Sequence, residues 1–232
     1  MGDHKRIVTI DGPSGGGKST VSRALAAKLG FTYLDTGAMY RAVAFKCREQ
    51  GVDPSNALQL EQLLQTIRID LLPPAAGEDD VRVMLDGQEV GPYLRTPEMG
   101  MLASAVSALP LVRQKLTALQ QQIGAAGRIV AEGRDTGTVV FPEAAWKFFL
   151  DASPEVRARR RAAQLRSKGE EVDEQHLLAQ IIQRDKDDRE RTLAPLKAAP
   201  EAVCIDSTGL PAATVINLMY DRIKATPCDG RE

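Results

Sequence analysis

Residues 12–20, near the start of the chain, have the composition of a phosphate-binding loop. Gly12 is followed by four residues and then by Gly17, Lys18 and Ser19, which is the spacing G-x-x-x-x-G-K-[ST]. Glycines let successive backbone N–H groups approach phosphate oxygens, because no Cβ stands in the way. Lys18 can reach the β- and γ-phosphates of a nucleotide, and the Ser19 hydroxyl can be a ligand to Mg²⁺.

The residues on either side of this loop have the patterns of a strand and a helix. Residues 7–10 all have β-branched side chains, which is typical of a buried strand. Val21, Leu25 and Leu29 share one face of a predicted helix that ends at Gly30 and directs its positive end at the loop. A flexible Gly/Ser turn that binds nothing is the alternative, but we expect a nucleoside triphosphate to bind here. The residues expected to contact it are Gly12, Pro13, Ser14, Gly15, Gly16, Gly17, Lys18, Ser19 and Thr20.

The overall composition is that of an ordinary globular protein. With 232 residues, of which 43% are hydrophobic, the chain can form a substantial core as one α/β domain. The formal net charge is −1, so the chain lacks the excess of positive charge that would attract a nucleic acid polymer or a membrane surface. No apolar run reaches the roughly 18 residues of a membrane span, and no signal-peptide core is visible. We therefore expect a cytoplasmic protein, and a monomer.

The cysteines and histidines offer little for metal binding or catalysis. Cys47, Cys204 and Cys228 are widely separated and contain no C-x-x-C pair, so we expect free thiols in a reducing compartment. His4 lies in a polar lead and His176 in a charged helix, and we expect both at the surface rather than in catalysis.

A second polar cluster follows the predicted strand 31–35. Asp35 and Thr36 come at the end of that strand, and Arg41 follows in the helix that they would cap. Ligands bind at the carboxyl ends of strands in open α/β sheets. From the local pattern alone, two interpretations remain open: a ligand site, or a pair of capping residues with a surface arginine.

A third cluster, at residues 132–142, follows the predicted strand 129–131. Arg134 lies there between Gly133 and Asp135, and we expect the segment to be a loop that faces a ligand. Two helices are predicted between the clusters, over 97–105 and 111–123, and their polar residues Ser104 and Arg113 are further candidates.

Residues 66–95 interrupt the alternation of strands and helices. Segments 67–71 and 81–85 alternate between apolar and polar residues, and Asp86 and Gly87 predict a hairpin turn into a returning segment at 88–90. We expect a small antiparallel sheet that recognises a substrate or covers the site; a flap without function is the alternative.

Two arginine-rich helices are predicted within residues 155–191, and we expect them to form a mobile lid over the triphosphate. Arg184, Asp188 and Arg191 occur at i, i+4 and i+7, so they would share one helix face. The alternative is a solvated helix face, on which such pairs only support the helix.

The order of elements predicts a doubly wound parallel sheet with the phosphate-binding loop after its first strand. The chain has no guanine-reading N-K-x-D motif and no second ATPase domain, so a GTPase switch or a motor is not indicated. Its many arginines suit a cleft that holds two phosphorylated molecules, since arginine stays charged and binds phosphate through two donors.

Four stretches resemble the bacterial cytidylate (CMP) kinases, a family of P-loop nucleoside monophosphate kinases. They are residues 10–20, 34–41, 133–142 and 184–191, and the second and third are far more specific than the first. The resemblance extends along essentially the whole chain. It implies a single P-loop kinase domain over residues 1–232, in which 66–95 is the NMP-binding insert and about 155–191 is the lid. Glu132 stands where many members have aspartate, and Gly16 where alanine is frequent.

The resemblance implies transfer of the γ-phosphoryl group of ATP to CMP or dCMP, with Mg²⁺ bound at Ser19. Residues implied to be catalytic are Lys18, Arg134, Asp135 and Arg191. Residues implied to bind CMP are Thr36, Arg41, Ser104, Arg113, Arg134, Asp135, Arg184 and Asp188. Two alternatives remain. Another small-molecule P-loop kinase would not need the insert, and a nucleotide-binding regulator would not need a second substrate site.

Overall fold

The computed structural model describes residues 6–75, 80–167 and 169–225. His4, Cys228, four residues of the predicted insert and residue 168 of the predicted lid lie outside the described residues. The chain forms two compact units, one made of the residues up to Tyr33 and from Gly124 onward, the other of Leu34–Ile123.

Strands and helices follow the predicted order closely. The strands are β1 (Ile7–Asp11), β2 (Thr32–Asp35), β3 (Ile69–Leu72), β4 (Arg82–Leu85), β5 (Gln88–Glu89), β6 (Ile129–Gly133), β7 (Trp146–Asp151) and β8 (Val203–Asp206). The helices are α1 (Lys18–Leu29), α2 (Thr36–Glu49), α3 (Ala57–Thr66), α4 (Pro97–Ser107), α5 (Pro110–Gly124), α6 (Pro154–Arg166), α7 (Glu174–Glu190) and α8 (Ala212–Ala225). A short 3₁₀ helix covers Gly91–Leu94, and a π-helical turn covers Thr136–Val140.

The main sheet has five strands in the order β2-β6-β1-β7-β8. β1 runs parallel to β6 and to β7, and β7 runs parallel to β8. In the second unit, β3, β4 and β5 form a separate antiparallel sheet. The predicted fold class is thus confirmed: an α/β fold with a mostly parallel sheet, a phosphate-binding loop directly after the first strand, and a small antiparallel sheet.

The hydrophobic core explains why β1 can carry the loop. Every residue of β1 is buried, and Val8 and Ile10 pack with Phe148 of β7, Leu25 of α1 and Met219 of α8. Burial of such side chains is the main favourable term in folding, at about 25 cal/mol per Å² of apolar surface. Helices α6 and α7 share a smaller core made of Ala158, Ala162, Leu165, Leu177 and Ile181. Among the described residues, no helix is long and apolar enough to span a membrane.

The predicted ends of several helices are confirmed by their capping contacts. Gly30 ends α1 in the left-handed conformation. The side chains of Asp35, Thr96 and Ser153 each accept a backbone N–H at the start of α2, α4 and α6. Asp86 and Gly87 both have positive φ, as the tight hairpin between β4 and β5 requires.

The prediction of an irregular loop over 132–142 is wrong in part. Glu132 and Gly133 belong to β6, and the segment after Asp135 winds into the π-helical turn. The cause is Asp11 at the end of β1. Its buried carboxylate accepts three hydrogen bonds of 2.7–2.8 Å, from the N–H and the hydroxyl of Thr136 and from the N–H of Gly137. A carboxylate that is satisfied in this way holds the turn against the sheet.

Candidate functional site

Gly12 connects β1 to the phosphate-binding loop at a position where only glycine fits. A Cβ at Gly12 would lie 2.0 Å from the backbone oxygen of Leu150 in β7, and the φ angle of Gly12 is +152°. Any side chain there would push the loop away from the sheet. The loop then ends at Gly17, which precedes the first residue of α1 with φ +85°. The N-terminus of α1, with its free N–H groups and positive dipole end, therefore faces the loop.

Lys18, the first residue of α1, is buried within this loop. Its Nζ atom donates a 2.7 Å hydrogen bond to the backbone oxygen of Pro13. Burial lowers the pKa of Lys18 from 10.5 to about 7, and the positive charge of Arg134 acts in the same direction. The ammonium form thus lacks sufficient negative charge around it in the free protein, which a nucleotide phosphate would supply.

We expect nucleotide binding at pH 8 to take up a proton at Lys18. Near that pH the free amine is largely neutral, because its pKa is about 7, whereas a bound phosphate favours the ammonium form and raises the pKa. Affinity should therefore fall as the pH rises above about 7. Calorimetry of MgADP binding at pH 8, in buffers of different ionisation enthalpy, measures the uptake. The phosphate itself, with a pKa of about 6, is already ionised there.

Lys18→Arg is the control for this measurement, since arginine keeps the charge and has no proton to gain at pH 8. Binding by the wild-type protein without net proton uptake would contradict the prediction.

Ser19 and Tyr33 both donate to the carboxylate of Glu132, a residue of the predicted ligand-facing segment 132–142 for which the sequence predicted no specific role. The Ser19 hydroxyl lies 2.7 Å from Oε1 of Glu132, and the Tyr33 hydroxyl lies 2.8 Å from the same oxygen. Glu132 is buried at the carboxyl end of β6, beside β1. The available signal was its acidic side chain at the end of a predicted strand next to the loop.

This arrangement has the chemistry of a Mg²⁺ site that is completed by a nucleotide. The Ser19 hydroxyl and the Glu132 carboxylate are hard oxygen ligands of the kind that Mg²⁺ prefers. Among the described residues, no group of three or more His, Cys, Asp or Glu side chains could hold a metal ion by itself. Mg²⁺ usually needs only one or two protein ligands, because phosphates and waters supply the others.

Four charged side chains form a chain of ion pairs beside the loop: the half-buried Arg134, and the largely buried Asp188, Arg191 and Asp135. Nε of Arg134 donates a 2.9 Å hydrogen bond to Asp188. Arg191 lies 3.9 Å from Asp188 and 3.7 Å from Asp135. Burial alone would raise the pKa of Asp188, but the charges of Arg134 and Arg184 hold it below its ordinary value. Asp188 is therefore ionised at neutral pH and keeps two guanidinium groups in place.

The prediction that Arg191 shares a helix face with Arg184 and Asp188 is wrong in its geometry. Helix α7 ends at Glu190, and Arg191 is extended, with φ −61° and ψ 139°. Its guanidinium still lies near Asp188. The Nε atom of Arg191 donates a 2.7 Å hydrogen bond to the backbone oxygen of Ala194 in the following turn, which holds the side chain in this position. Arg184 extends elsewhere, and its Nη1 lies 3.4 Å from the hydroxyl of Ser14 in the phosphate-binding loop.

One arginine of the predicted lid is not solvated. Arg157 is 1% exposed and pairs with buried Asp185 of α7. Two cysteines and one histidine lie within the described residues. Cys47 is buried, whereas Cys204 and His176 are exposed. His176 at the surface agrees with the prediction.

The second unit brings together other predicted residues. Asp35 caps α2 and also binds Arg41, whose guanidinium lies 3.0 Å from its carboxylate. Thr36 is buried at the first position of α2. The guanidinium of Arg113 lies 5.7 Å from the ring centre of Tyr40, a distance typical of a cation–π contact.

Ser104 is half-buried on α4. It is connected to Arg113 through the backbone, since the Ser107 hydroxyl donates to the carbonyl of Ser104 and Arg113 donates to the carbonyl of Ser107. Within this unit, the capping interpretation of Asp35 is confirmed, and Asp35 also orients Arg41. The ligand site at this cluster stays a prediction.

Comparison with known proteins places the chain in a family. A family model described as cytidylate kinase matches residues 8–225. The chain belongs to the cytidylate kinase family. It is 48% identical over 217 residues to a cytidylate kinase of Fervidobacterium nodosum, covering 94% of this chain and 95% of the relative. It is 44% identical over 224 residues to a cytidylate kinase of Citrifermentans bemidjiense, covering 97% of this chain and 95% of the relative.

Among solved structures, an uncharacterized protein from Eubacterium ventriosum superposes with a TM-score of 0.51 at 12% identity. The match covers 96% of this chain and 99% of the other, and it shows a shared fold only. Membership of the cytidylate kinase family therefore rests on sequence, and the shared fold agrees with it.

Proposed function

We propose that this member of the cytidylate kinase family transfers the γ-phosphoryl group of ATP to CMP or dCMP, giving ADP and CDP or dCDP. The observation that carries the proposal is the chain of ion pairs between Arg134, Asp188, Arg191 and Asp135 beside a complete phosphate-binding loop. A protein that only bound a nucleotide would have no use for several oriented guanidinium groups at the same place. Two phosphorylated substrates require them, because their negative charges must be neutralised together.

In this proposal the loop residues 12–20 bind the phosphates of ATP. Backbone N–H groups and the N-terminus of α1 supply fixed partial positive charge. Lys18 would leave the carbonyl of Pro13 and donate to the β- and γ-phosphates as the ammonium ion. Ser19 and Glu132 would hold Mg²⁺, which supplies further charge neutralisation at the β- and γ-phosphates when it is bound.

The residues proposed to bind CMP are Thr36, Arg41, Ser104, Arg113, Arg134, Asp135, Arg184 and Asp188. Arg41 is already oriented by Asp35, and Arg134 by Asp188, so little conformational freedom remains to be lost on binding. Arginine suits the α-phosphate, since its planar group matches two phosphate oxygens.

Phosphoryl transfer in this site would depend on position and charge more than on a strong base. The transition state spreads negative charge over the oxygens of the transferring group, and preorganised cations stabilise it without reorganising at that moment. Lys18, Arg134 and Arg191 are the proposed catalytic cations, and Asp135 and Asp188 hold the arginines by charge.

An ADP-release assay with each common nucleoside monophosphate tests the proposal. CMP and dCMP should stimulate ADP release strongly, and AMP, GMP and UMP weakly. ADP release with none of these acceptors, but with a non-nucleotide acceptor, would point to another small-molecule kinase. Nucleotide binding without any transfer would point to a regulator.

Asp188→Asn should raise the KM for CMP about tenfold or more while changing the KM for ATP much less. The amide cannot balance the charges of Arg134 and Arg191, so these groups lose their positions next to the monophosphate. Steady-state kinetics with each substrate varied separately measure the two constants.

Asp187→Asn is the matched control, because Asp187 is the exposed neighbour of Asp188 on the same helix. Equal increases in both KM values for Asp188→Asn would mean that Asp188 only stabilises α7.

We also propose that α6 and α7 act as a lid. Many charged side chains on these helices are exposed, and a kinase must exclude water from its γ-phosphate. Amide hydrogen exchange over 155–191 should slow when an ATP analogue and CMP are added together. Unchanged exchange in the presence of both ligands would refute the lid.

The remaining parts of the proposal are cytoplasmic location, a monomeric state, and no nucleic acid polymer or membrane as partner. They are supported by the net charge of −1 and by the scattered cysteines. Light scattering measures the oligomeric state directly.

A further inference from the structure

Arg157 connects three separate parts of the first unit. Only 1% of its surface is exposed, although it lies in an arginine-rich helix. Its Nε donates to the carbonyl of Ala152 at 2.8 Å, its Nη1 to the carbonyl of Ser14 at 3.0 Å, and its Nη2 to the carboxylate of Asp185 at 2.5 Å. The guanidinium therefore joins the end of β7, the phosphate-binding loop and α7.

The bond to Ser14 controls the direction of a backbone N–H group. The carbonyl of Ser14 and the N–H of Gly15 belong to one peptide unit, which is planar and trans, so they point in opposite directions. Since the carbonyl is fixed on the guanidinium of Arg157, the N–H of Gly15 must be directed away from that side chain. In a phosphate-binding loop, such N–H groups are what hold the anion.

The space between Gly15 and α6 is too small for a side chain. Gly15 has φ +75°, and a Cβ built on it would lie 3.2 Å from Cβ of Arg157 and 3.3 Å from its backbone oxygen. A glycine at this position therefore lets the loop lie close against Arg157 in α6. This close approach is what allows the guanidinium of Arg157 to reach the carbonyl of Ser14.

Asp185 supplies the charge that keeps Arg157 in the interior. Asp185 is 3% exposed, and its second oxygen, Oδ1, has no hydrogen-bond partner among the described residues. A buried ion pair that is not fully satisfied contributes little net stability, because the cost of removing both charges from water offsets their attraction. Stability alone therefore does not explain the pair, whereas positioning of the loop does.

We infer that Arg157 is a positioning residue for nucleotide binding, which orients the Ser14–Gly15 peptide so that the Gly15 N–H can bind phosphate. Asp185 is its charge partner and links this orientation to α7, whose neighbouring Arg184 reaches the hydroxyl of the same Ser14. The inference rests on the proposed function, since it assumes that the loop binds the phosphates of ATP.

The test compares MgADP binding by the wild-type protein with that of three variants: Arg157→Met, Arg157→Lys, and the double variant Arg157→Met/Asp185→Leu. Arg157→Met should weaken MgADP binding about tenfold to a hundredfold, as misplaced binding groups do. It should leave CMP binding in the absence of nucleotide within about threefold of wild type. Arg157→Lys should give an intermediate loss, because a lysine provides the charge without the fork of donors.

The double variant separates positioning from stability. It removes both buried charges together, so its thermal unfolding should return toward that of the wild type. The MgADP affinity of the double variant should stay as low as that of Arg157→Met. In both of these variants, the amide signal of Gly15 in an ¹⁵N-resolved spectrum should differ from that of the wild type. Arg159→Met, an exposed position on the same helix, is the control and should bind MgADP normally.

Recovery of MgADP affinity in the double variant would overturn the inference, since the loss would then come from the unpaired Asp185. Normal affinity in Arg157→Met would overturn it as well. Failure of the proposed function would be recognised separately, because the wild-type protein itself would not bind MgADP or phosphorylate CMP.

Discussion

Lys18→Ala should reduce kcat by about 10³ or more, because groups that neutralise charge in the transition state of phosphoryl transfer have effects of this size. Lys18 is the buried cation of the loop, and its Nζ already lies at a loop carbonyl. The substitution should not lower the stability of the free protein. Burial lowers the pKa of Lys18, so replacing this side chain with alanine removes a poorly solvated ionisable group. Turnover with saturating ATP and CMP, together with a thermal unfolding curve, measures both effects.

Lys28→Met provides the matched control. Lys28 lies in the last turn of the same helix, exposed, and binds Asn217. Its replacement should leave turnover nearly unchanged. If Lys18→Ala kept near-normal turnover, Lys18 would have no part in the mechanism.

Asp135→Ala should narrow the preference for CMP over UMP, mainly by reducing kcat/KM for CMP. Cytosine presents its exocyclic amino group as a donor, which a carboxylate accepts, whereas uracil has an acceptor at that position. When a buried site loses the group that matches its substrate, the ratio of kcat/KM between that substrate and its analogue can change by a factor of up to about 10⁴. The ratio of kcat/KM for the two substrates is the measurement, since losses common to both, such as a displaced Arg191, cancel in it.

Asp135→Asn is the companion variant, because its amide can donate as well as accept. Asp135→Asn should reduce the ratio by lowering kcat/KM for CMP and by giving a higher kcat/KM for UMP than Asp135→Ala does. An unchanged ratio in both variants would mean that the base is recognised elsewhere, and Ser104 and Arg113 would be the next residues to replace.

The local elements of this protein could be predicted from its sequence because each depends on neighbouring residues. The G-x-x-x-x-G-K-S spacing placed a loop between β1 and α1, and Gly30 and Asp35 marked helix ends through their own backbone or capping groups. The Asp86–Gly87 turn defined the hairpin of the small sheet in the same way. Matches to family motifs added the expected activity, which the comparisons support.

Contacts between distant residues were decided by the tertiary structure. The strand order places β6 and β7 on either side of β1, so that Glu132 reaches Ser19 and Asp11 holds the turn at Thr136, across 113 and 125 residues of sequence respectively. Hydrophobic periodicity does not encode which strands become neighbours, so neither contact could be predicted.

The same limit applies to the arginines. A helical pattern describes Arg157 and Arg159 as two charged residues of one helix, yet Arg157 is buried and Arg159 is exposed. Arg191 likewise reaches Asp135 through a turn after α7 and not through helix periodicity. The sequence by itself determined the loop, the order of elements and the family. The fold decided which charges are desolvated and paired, because the free energy of a charge depends on all the groups packed around it.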